Sequence, residues 1–338
     1  MGVKQRIHIK KFLEIHAGSL FFKLYFHWVR RLSIDSLESW GEKLGSVAFY
    51  ILRRRKKIAL QNMLLAFGKE KDKKEFKQIY RANLKNIGMN MMEVARCVDF
   101  GNGYLKNLVT LEGKEYLDNA LAQKKGVICL TAHIGNFPLM CTRLVKEGYP
   151  VSLVARNPEN PEITAALASI MKTIGMEAIP DKPRRTCVSR SLKALKKNRI
   201  LLLQIDQNAP RTESWVDFFG YLVPTFNGPV VLSLRTGAPI LPMFIIRNST
   251  HLHTASIYPP FELAITGDIE KDITTNIARL TKLTEAAIRE HPDQWWWFHR
   301  RFRKARDIKT GRKLFPKYTS KEHKARDEGN KELMGSIS

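Results

Sequence analysis

What most restricts the fold open to this chain is a change of pattern after Asp99-Phe100-Gly101-Asn102-Gly103: from there on, short apolar runs alternate with amphipathic segments. Gly126 to Thr131, Val151 to Ala155, Ile200 to Ile205 and Pro239 to Ile246 are brief, continuous and rich in Val, Ile and Leu, the signature of strands buried on both faces. The stretches around 138–147, 161–174, 186–197 and 227–236 carry helical spacing. Strand, helix, strand order predicts the α/β class, with a mostly parallel central sheet flanked by helices. Upstream, residues 35–98 contain no proline and read as helices. Asp35-Ser36-Leu37-Glu38 offers a cap, Arg53-Arg54-Arg55-Lys56-Lys57 closes an apolar stretch, and Arg81 to Arg96 repeats the helical period. No internal repeat or low-complexity linker interrupts the chain. The expected organisation is a helical region over 1–100, an α/β domain over 101–305 and a basic tail over 306–338.

Charge sets the class of partner. Across 338 residues, 57 Lys and Arg against 32 Asp and Glu give a formal net charge of +25, so the partner surface is anionic: nucleic acid, acidic lipid or an acidic carrier protein. Zinc spacing, a helix-turn-helix pattern and an aromatic RNA-binding signature are all missing, which argues against nucleic acid. Gly126 to Gly135 contains no phosphate-binding glycine loop, and no G-x-S-x-G marks a serine hydrolase. Cys97, Cys129, Cys141 and Cys187 form no C-x-x-C pair or metal-ligand spacing, so no metal is expected and a reducing compartment is the simpler reading. The segment from Arg300 to Arg326 is strongly basic and reads as a solvated surface or tail.

Residues 12–29 are greasy and aromatic, with Phe12, Phe21, Phe22, Tyr25, Phe26 and Trp28 among them. Glu14, His16, Lys23 and His27 interrupt them, which argues against both a cleaved signal and a spanning helix of ~20 apolar residues. With Lys10, Lys11, Arg30 and Arg31 alongside, the segment reads as a helix lying in a headgroup boundary, the alternative being an ordinary docking helix.

In an open α/β sheet, ligands bind beyond the carboxyl ends of the strands. At such a position stands Thr131-Ala132-His133-Ile134-Gly135-Asn136-Phe137-Pro138. Asn136 can cap the following helix, Pro138 is harmless in its first turn, and His133 at the mouth of the sheet can take a proton from an attacking alcohol. A lone histidine there equally suits a structural turn. Arg156-Asn157-Pro158, held extended by two X-Pro steps, aims a guanidinium at a phosphate or an oxyanion. Asp206-Gln207-Asn208 follows another strand, and Trp215 to Gly220 with Val223 to Pro229 supplies turn residues before a helix.

In this order and at these distances the segments resemble the bacterial lipid A biosynthesis acyltransferases, within the lysophospholipid acyltransferase superfamily. The resemblance runs from Arg54 to Arg303. It begins with Arg54 to Phe67 and Asn83 to Arg96, passes through the motifs above and Val216 to Arg247, and ends with His291-Pro292-Asp293-Gln294-Trp295-Trp296-Trp297-Phe298-His299-Arg300-Arg301. It implies transfer of a fatty acyl group from a thioester, on acyl carrier protein or coenzyme A, to a hydroxyl of a membrane lipid at the cytoplasmic face of a bacterial inner membrane. In that family a His followed five positions later by Asp or Glu forms the catalytic dyad. His133 matches the base, but position 138 is proline.

Three arrangements remain open: Asp206 reaches His133 from a neighbouring strand end, His133 works with only a backbone or Asn136 partner, or the chain binds lipid without turning it over. His133, Asp206 and Arg156 are the expected catalytic residues, and Gly135, Asn136, Asn157, Gln207 and Arg235 the expected substrate contacts. The oxyanion would rest on the Gly135-Asn136 turn or Arg156. Cys141 and Cys187 are the covalent-route alternatives. No cofactor is needed. The expected partners are acyl carrier protein and anionic lipid, with the protein a monomer. The three consecutive tryptophans at 295–297 with nearby arginines suit a bilayer margin, although consecutive residues cannot all face one way and at least one belongs in a core.

Overall fold

The computed structural model describes residues 3–68, 70–248 and 252–315, with the side chains of the first helix described from His16 onward. Most of the expected basic tail therefore lies outside the described residues, as do the side chains of Phe12 to Ile15. Four helices come first: α1 (Val3–Arg31), α2 (Leu37–Ile51), α3 (Arg53–Phe67) and α4 (Lys73–Arg96). The α/β part follows as α5 (Asn102–Leu108), β1 (Val109–Glu112), α6 (Lys114–Ala122), β2 (Val127–Thr131), α7 (Phe137–Lys146), β3 (Val151–Ala155), α8 (Pro161–Ile174), β4 (Glu177–Pro180), α9 (Arg184–Lys196) and β5 (Ile200–Gln204). The chain continues through β6 (Ser214–Phe218), β7 (Tyr221–Thr225), α10 (Gly228–Thr236), β8 (Ile240–Arg247), β9 (His253–Ile257), α11 (Ile269–Glu290) and β10 (Arg306–Asp307).

The seven-stranded sheet has the order β1-β9-β8-β2-β5-β3-β4. All its pairs are parallel except β8 with β9, so the expected α/β architecture is the one observed. All four apolar runs form strands in this sheet. Alternate β2 side chains pack on opposite faces: Val127 and Cys129 belong to the same core as Leu139, Met140 and Leu144 of α7, while Ile128 and Leu130 belong to a second core with Leu195 of α9 and Ile277 and Leu280 of α11. Each such fully buried aliphatic side chain contributes roughly 1.5–3 kcal/mol.

Two readings need correction. Arg53 to Lys57 follows the apolar stretch without ending the helical region; Leu52, at φ −81 and ψ 48, interrupts the helix, and the cations open a new one, α3. Trp215 to Thr225 is not merely turn: it folds as the antiparallel hairpin β6–β7, which β10 extends to three strands. Its Phe218 and Phe219 join Phe67, Tyr80, Trp295, Trp297 and Phe302 in a separate aromatic core that ties α3 and α4 to the 295–302 segment.

Helix α2 lies on α4 through glycine. A methyl group added at Gly88 would overlap the Gly41 carbonyl, and one at Gly45 would meet the α4 backbone at Leu84 and Lys85, so the two helices touch almost backbone to backbone. Gly88→Ala is expected to lower stability by ~1–3 kcal/mol through overpacking, whereas Gly101→Ala, where a methyl group meets nothing within 4 Å, should leave the urea midpoint nearly unchanged. Equal midpoints for the two variants would contradict this contact.

Candidate active site

Strand register brings the principal residues together. Thr131 of β2 pairs with Gln204 of β5, so His133 and Asp206 each stand two residues beyond a matched pair on adjacent strands. Asp206 Oδ1 lies 2.9 Å from His133 Nδ1, and Oδ2 accepts from the His133 backbone N–H at 2.9 Å and from Trp295 Nε1 at 2.8 Å. The acid is 2% exposed. Burial alone would push its carboxyl up, but the attraction of His133 and the hydrogen bonds from His133 and Trp295 outweigh this and hold it at about 2. An ionised Asp206 makes Nδ1 the protonated ring nitrogen and leaves the lone pair on Nε2. The Gln207 side chain places its Nε2 2.9 Å from that atom, which fixes the orientation of its amide as a donor. The imidazole side chain remains 23% exposed, with Phe137 packed edge-on at 5.4 Å between centroids.

Around the dyad the loop is held from behind. Gly135 has φ +57, and a methyl group there would overlap the Ile245 carbonyl, so only glycine fits. Its N–H donates to Gln294 O at 3.0 Å and its carbonyl accepts from Asn90 Nδ2 at 2.9 Å. Trp296 N–H donates to the His133 carbonyl at 2.8 Å. Gln294 in turn exchanges two 2.8 Å bonds with the backbone of Arg247. The Arg247 guanidinium grips both oxygens of Glu93 at 2.8 and 2.7 Å, and Glu93 also meets His253 Nε2 at 3.1 Å and accepts from Asn136 Nδ2 at 2.7 Å. Burial would raise the Glu93 carboxyl, but His253 and Arg247 together lower it to about 2.

Of the expected substrate contacts, Gln207 stands against the His133 ring. Asn136 is turned into the protein: it is 1% exposed, caps α7 through Leu139 N–H, and has its amide on Glu93. The Gly135 N–H is already bonded, so it is not a free oxyanion donor. Arg156 and Asn157 are exposed on the loop after β3, where Arg156 pairs with Asp181 at 3.2 Å. Arg235 ends α10, just before the amino end of β8 and hence at the sheet edge opposite His133, beside Arg184 and Arg185. Cys141 is fully buried with its thiol pushed up to about 12, and burial also raises Cys187, so neither is an activated nucleophile. No group of metal-ligating side chains occurs among the described residues.

Several site residues were not singled out from the sequence. Trp295 and Trp297 are buried and only Trp296, 41% exposed, faces outward, so the triplet is mainly core and dyad support rather than a bilayer rim. Arg301, assigned to a solvated basic segment, is fully buried and donates to the carbonyls of Gln207 and Pro224 and to Thr225 Oγ1. His299 accepts from Asn208 N–H through Nδ1 at 3.4 Å, and burial lowers it to about 4, so it is neutral near pH 7. The signal was present for Arg301 and Trp295, since both lie in the segment from His291 to Arg301 that carries the family resemblance.

The chain is also similar to proteins of known activity. The model of the bacterial lipid A biosynthesis acyltransferases matches residues 9–304, and the chain belongs to that family. It is therefore an acyltransferase. Over 269 residues it is 28% identical to the lipid A biosynthesis palmitoleoyltransferase of Escherichia coli K12, covering 78% of this chain and 83% of that protein. It is 25% identical to the lauroyltransferase of the same organism over 266 residues, covering 78% and 84%. A phosphatidylinositol mannoside acyltransferase of Mycobacterium tuberculosis is 27% identical over 167 residues, covering 48% and 52%.

The Glu93 ion pair yields a pH prediction. Because the folded-state pKa lies below the ordinary 4.5, the stability this carboxylate contributes is complete above about 4.5 and is lost as pH falls toward about 2. Glu93→Gln, which leaves Arg247 buried without its anion, should cost ~3–5 kcal/mol near neutrality. The gap to wild type in urea unfolding should narrow between pH 4.5 and 2; parallel curves would contradict the assignment.

Proposed function

We propose that the protein moves a fatty acyl group from an acyl carrier thioester to a hydroxyl of a lipid A precursor, with His133 as general base and Asp206 as the acid that orients it. The observation that carries this reading is the 2.9 Å contact between His133 Nδ1 and Asp206, which leaves Nε2 as the proton-accepting atom on the open side of the ring. The acceptor hydroxyl displaces the Gln207 amide from Nε2, transfers its proton there, and its oxygen attacks the thioester carbonyl. The tetrahedral intermediate then collapses, expelling the carrier thiolate, which takes the proton back from the imidazolium. Atoms balance without an acyl-enzyme, in keeping with the buried state of Cys141.

With the Gly135 N–H engaged by Gln294, the displaced Gln207 amide is the better oxyanion donor. Arg156, at the rim with its side chain 74% exposed, suits a phosphate of the acceptor more than a buried oxyanion. Family membership and the acid found against His133 favour turnover over a lipid-binding homologue that has lost its dyad. The relatives named for lipid A biosynthesis support the acceptor class, and the net charge of +25 supports approach of an acidic carrier protein and anionic lipid. No helix among the described residues is long and apolar enough to cross a membrane, so the association we propose is peripheral, with α1 as a contact at the cytoplasmic face of the inner membrane.

Purified protein given acyl carrier thioester and a lipid A precursor should form the acylated product by mass. His133→Ala and Asp206→Asn should each lower turnover by on the order of 10²–10⁴-fold. Unchanged turnover in Asp206→Asn would remove it as the partner acid.

A further inference from the structure

Helix α2 has the polarity opposite to that of a helix on a water-facing surface. The centre of the face turned to the protein is glycine, with Gly41 and Gly45 buried on the α4 backbone around Leu84 to Met89, between Leu37 and Phe49, which pack into the cores at either end. The face turned outward is large and apolar: Trp40 is 39% exposed, Leu44 39%, Val47 54% and Ile51 69%, at i, i+4, i+7 and i+11. Water-soluble helices bury such a stripe, whereas small residues packed inward with bulky apolar residues outward is the arrangement used where the surroundings are hydrocarbon. At 15 residues α2 is about 22 Å long, too short for a ~30 Å hydrocarbon core, so it can only lie along a surface.

The charge next to it points the same way. Arg53, Arg54 and Arg55 are exposed, form no ion pair among the described residues, and stand in the first turn of α3, where cations oppose the helix dipole. Helix stability does not account for them there; an anionic surface beyond the end of α2 does. A second copy packed with its stripe parallel would bring both cation runs together, an antiparallel copy is the outcome that sedimentation reads below, and an acidic carrier domain would match the cations but not the stripe.

We propose that Trp40, Leu44, Val47 and Ile51 insert into the acyl margin of an anionic bilayer, with Arg53, Arg54 and Arg55 on its lipid phosphates. The inference rests on the peripheral membrane reading and adds the element that makes the contact. Trp28 of α1 meets the Trp40 ring at 5.4 Å, so α2 extends the α1 surface rather than competing with it. It also places the site. Two residues beyond Gly88, Asn90 of α4 holds the carbonyl of Gly135 in the His133 loop, so the dyad lies a single helix layer from the membrane face.

The test uses the full chain in a Cys187→Ser background, since Cys97, Cys129 and Cys141 are buried. An environment-sensitive dye is placed on Val47→Cys or, as control, on Ser189→Cys of α9. With phosphatidylglycerol-containing vesicles the label at 47 should shift to the blue and lose access to iodide, while the label at 189 stays quenchable. Leu44→Gln/Val47→Gln/Ile51→Gln should weaken vesicle partition by about tenfold or more without changing the thermal midpoint. Flotation with a fully quenchable label at 47 would overturn the α2 contact and leave peripheral binding through α1 standing. Burial of the label without vesicles, with a dimer in sedimentation, would also overturn it. No flotation on anionic vesicles would overturn both readings, and acyl transfer to a micellar acceptor would still report on the dyad alone.

Discussion

The structure turns on one buried carboxylate. Asp206 receives the His133 ring, the His133 backbone N–H and the Trp295 indole on two oxygens, and these bonds keep it ionised despite being 2% exposed. Taking an unpaired charge out of water is costly by several kcal/mol, so this site is stable only if all its partners hold their places. Much of the surrounding architecture does that. The β2–β5 register aligns the two strand ends, the 295–302 segment brings Trp295 across, and the aromatic core under the β6–β7 hairpin fixes that segment.

A second ionic cluster supports the loop from the opposite side. Glu93 and Arg247 join α4 to β8, and through Asn90, Asn136 and Gln294 they clamp the backbone on either side of Gly135. The helices before the sheet therefore help to hold the site: without α4 the loop carrying His133 would lose the Asn90 bond to the Gly135 carbonyl and the Glu93 bond to Asn136. The same helix carries the glycine contact to α2, so the surface proposed to meet lipid and the loop bearing His133 are joined through one rigid element.

The sheet was readable because its central strands are buried on both faces and their residues are almost all aliphatic. The hairpin was not, since Trp215 to Thr225 mixes Asp217, Gly220 and Pro224 with its apolar residues and looks like turn. At the site, His133 and Asp206 could be found as polar residues just beyond apolar runs at one edge of the sheet, which made Asp206 one candidate for the partner that proline at 138 cannot be; the register that aligns them is seen only in the structure. Asn136 and Arg301 were misjudged because a polar side chain announces a need for partners without saying whether they are substrate or protein. Both proved to be buried hydrogen-bonding struts. The tryptophan triplet was legible only in part: at least one had to be core, and Trp295 and Trp297 are, but aromatic residues beside arginines suit a lipid boundary and a stacked core equally well.

The central claim is that Asp206, from a neighbouring strand, sets the tautomer of His133 in place of an acid on the following helix. Nitrogen-15 NMR of the imidazole in the resting protein tests this directly, by comparing wild type with Asp206→Asn. The account predicts a proton on Nδ1 and a lone pair on Nε2 in wild type, with that preference lost in the variant. A wild-type ring protonated on Nε2, or a tautomer unaffected by the substitution, would contradict it.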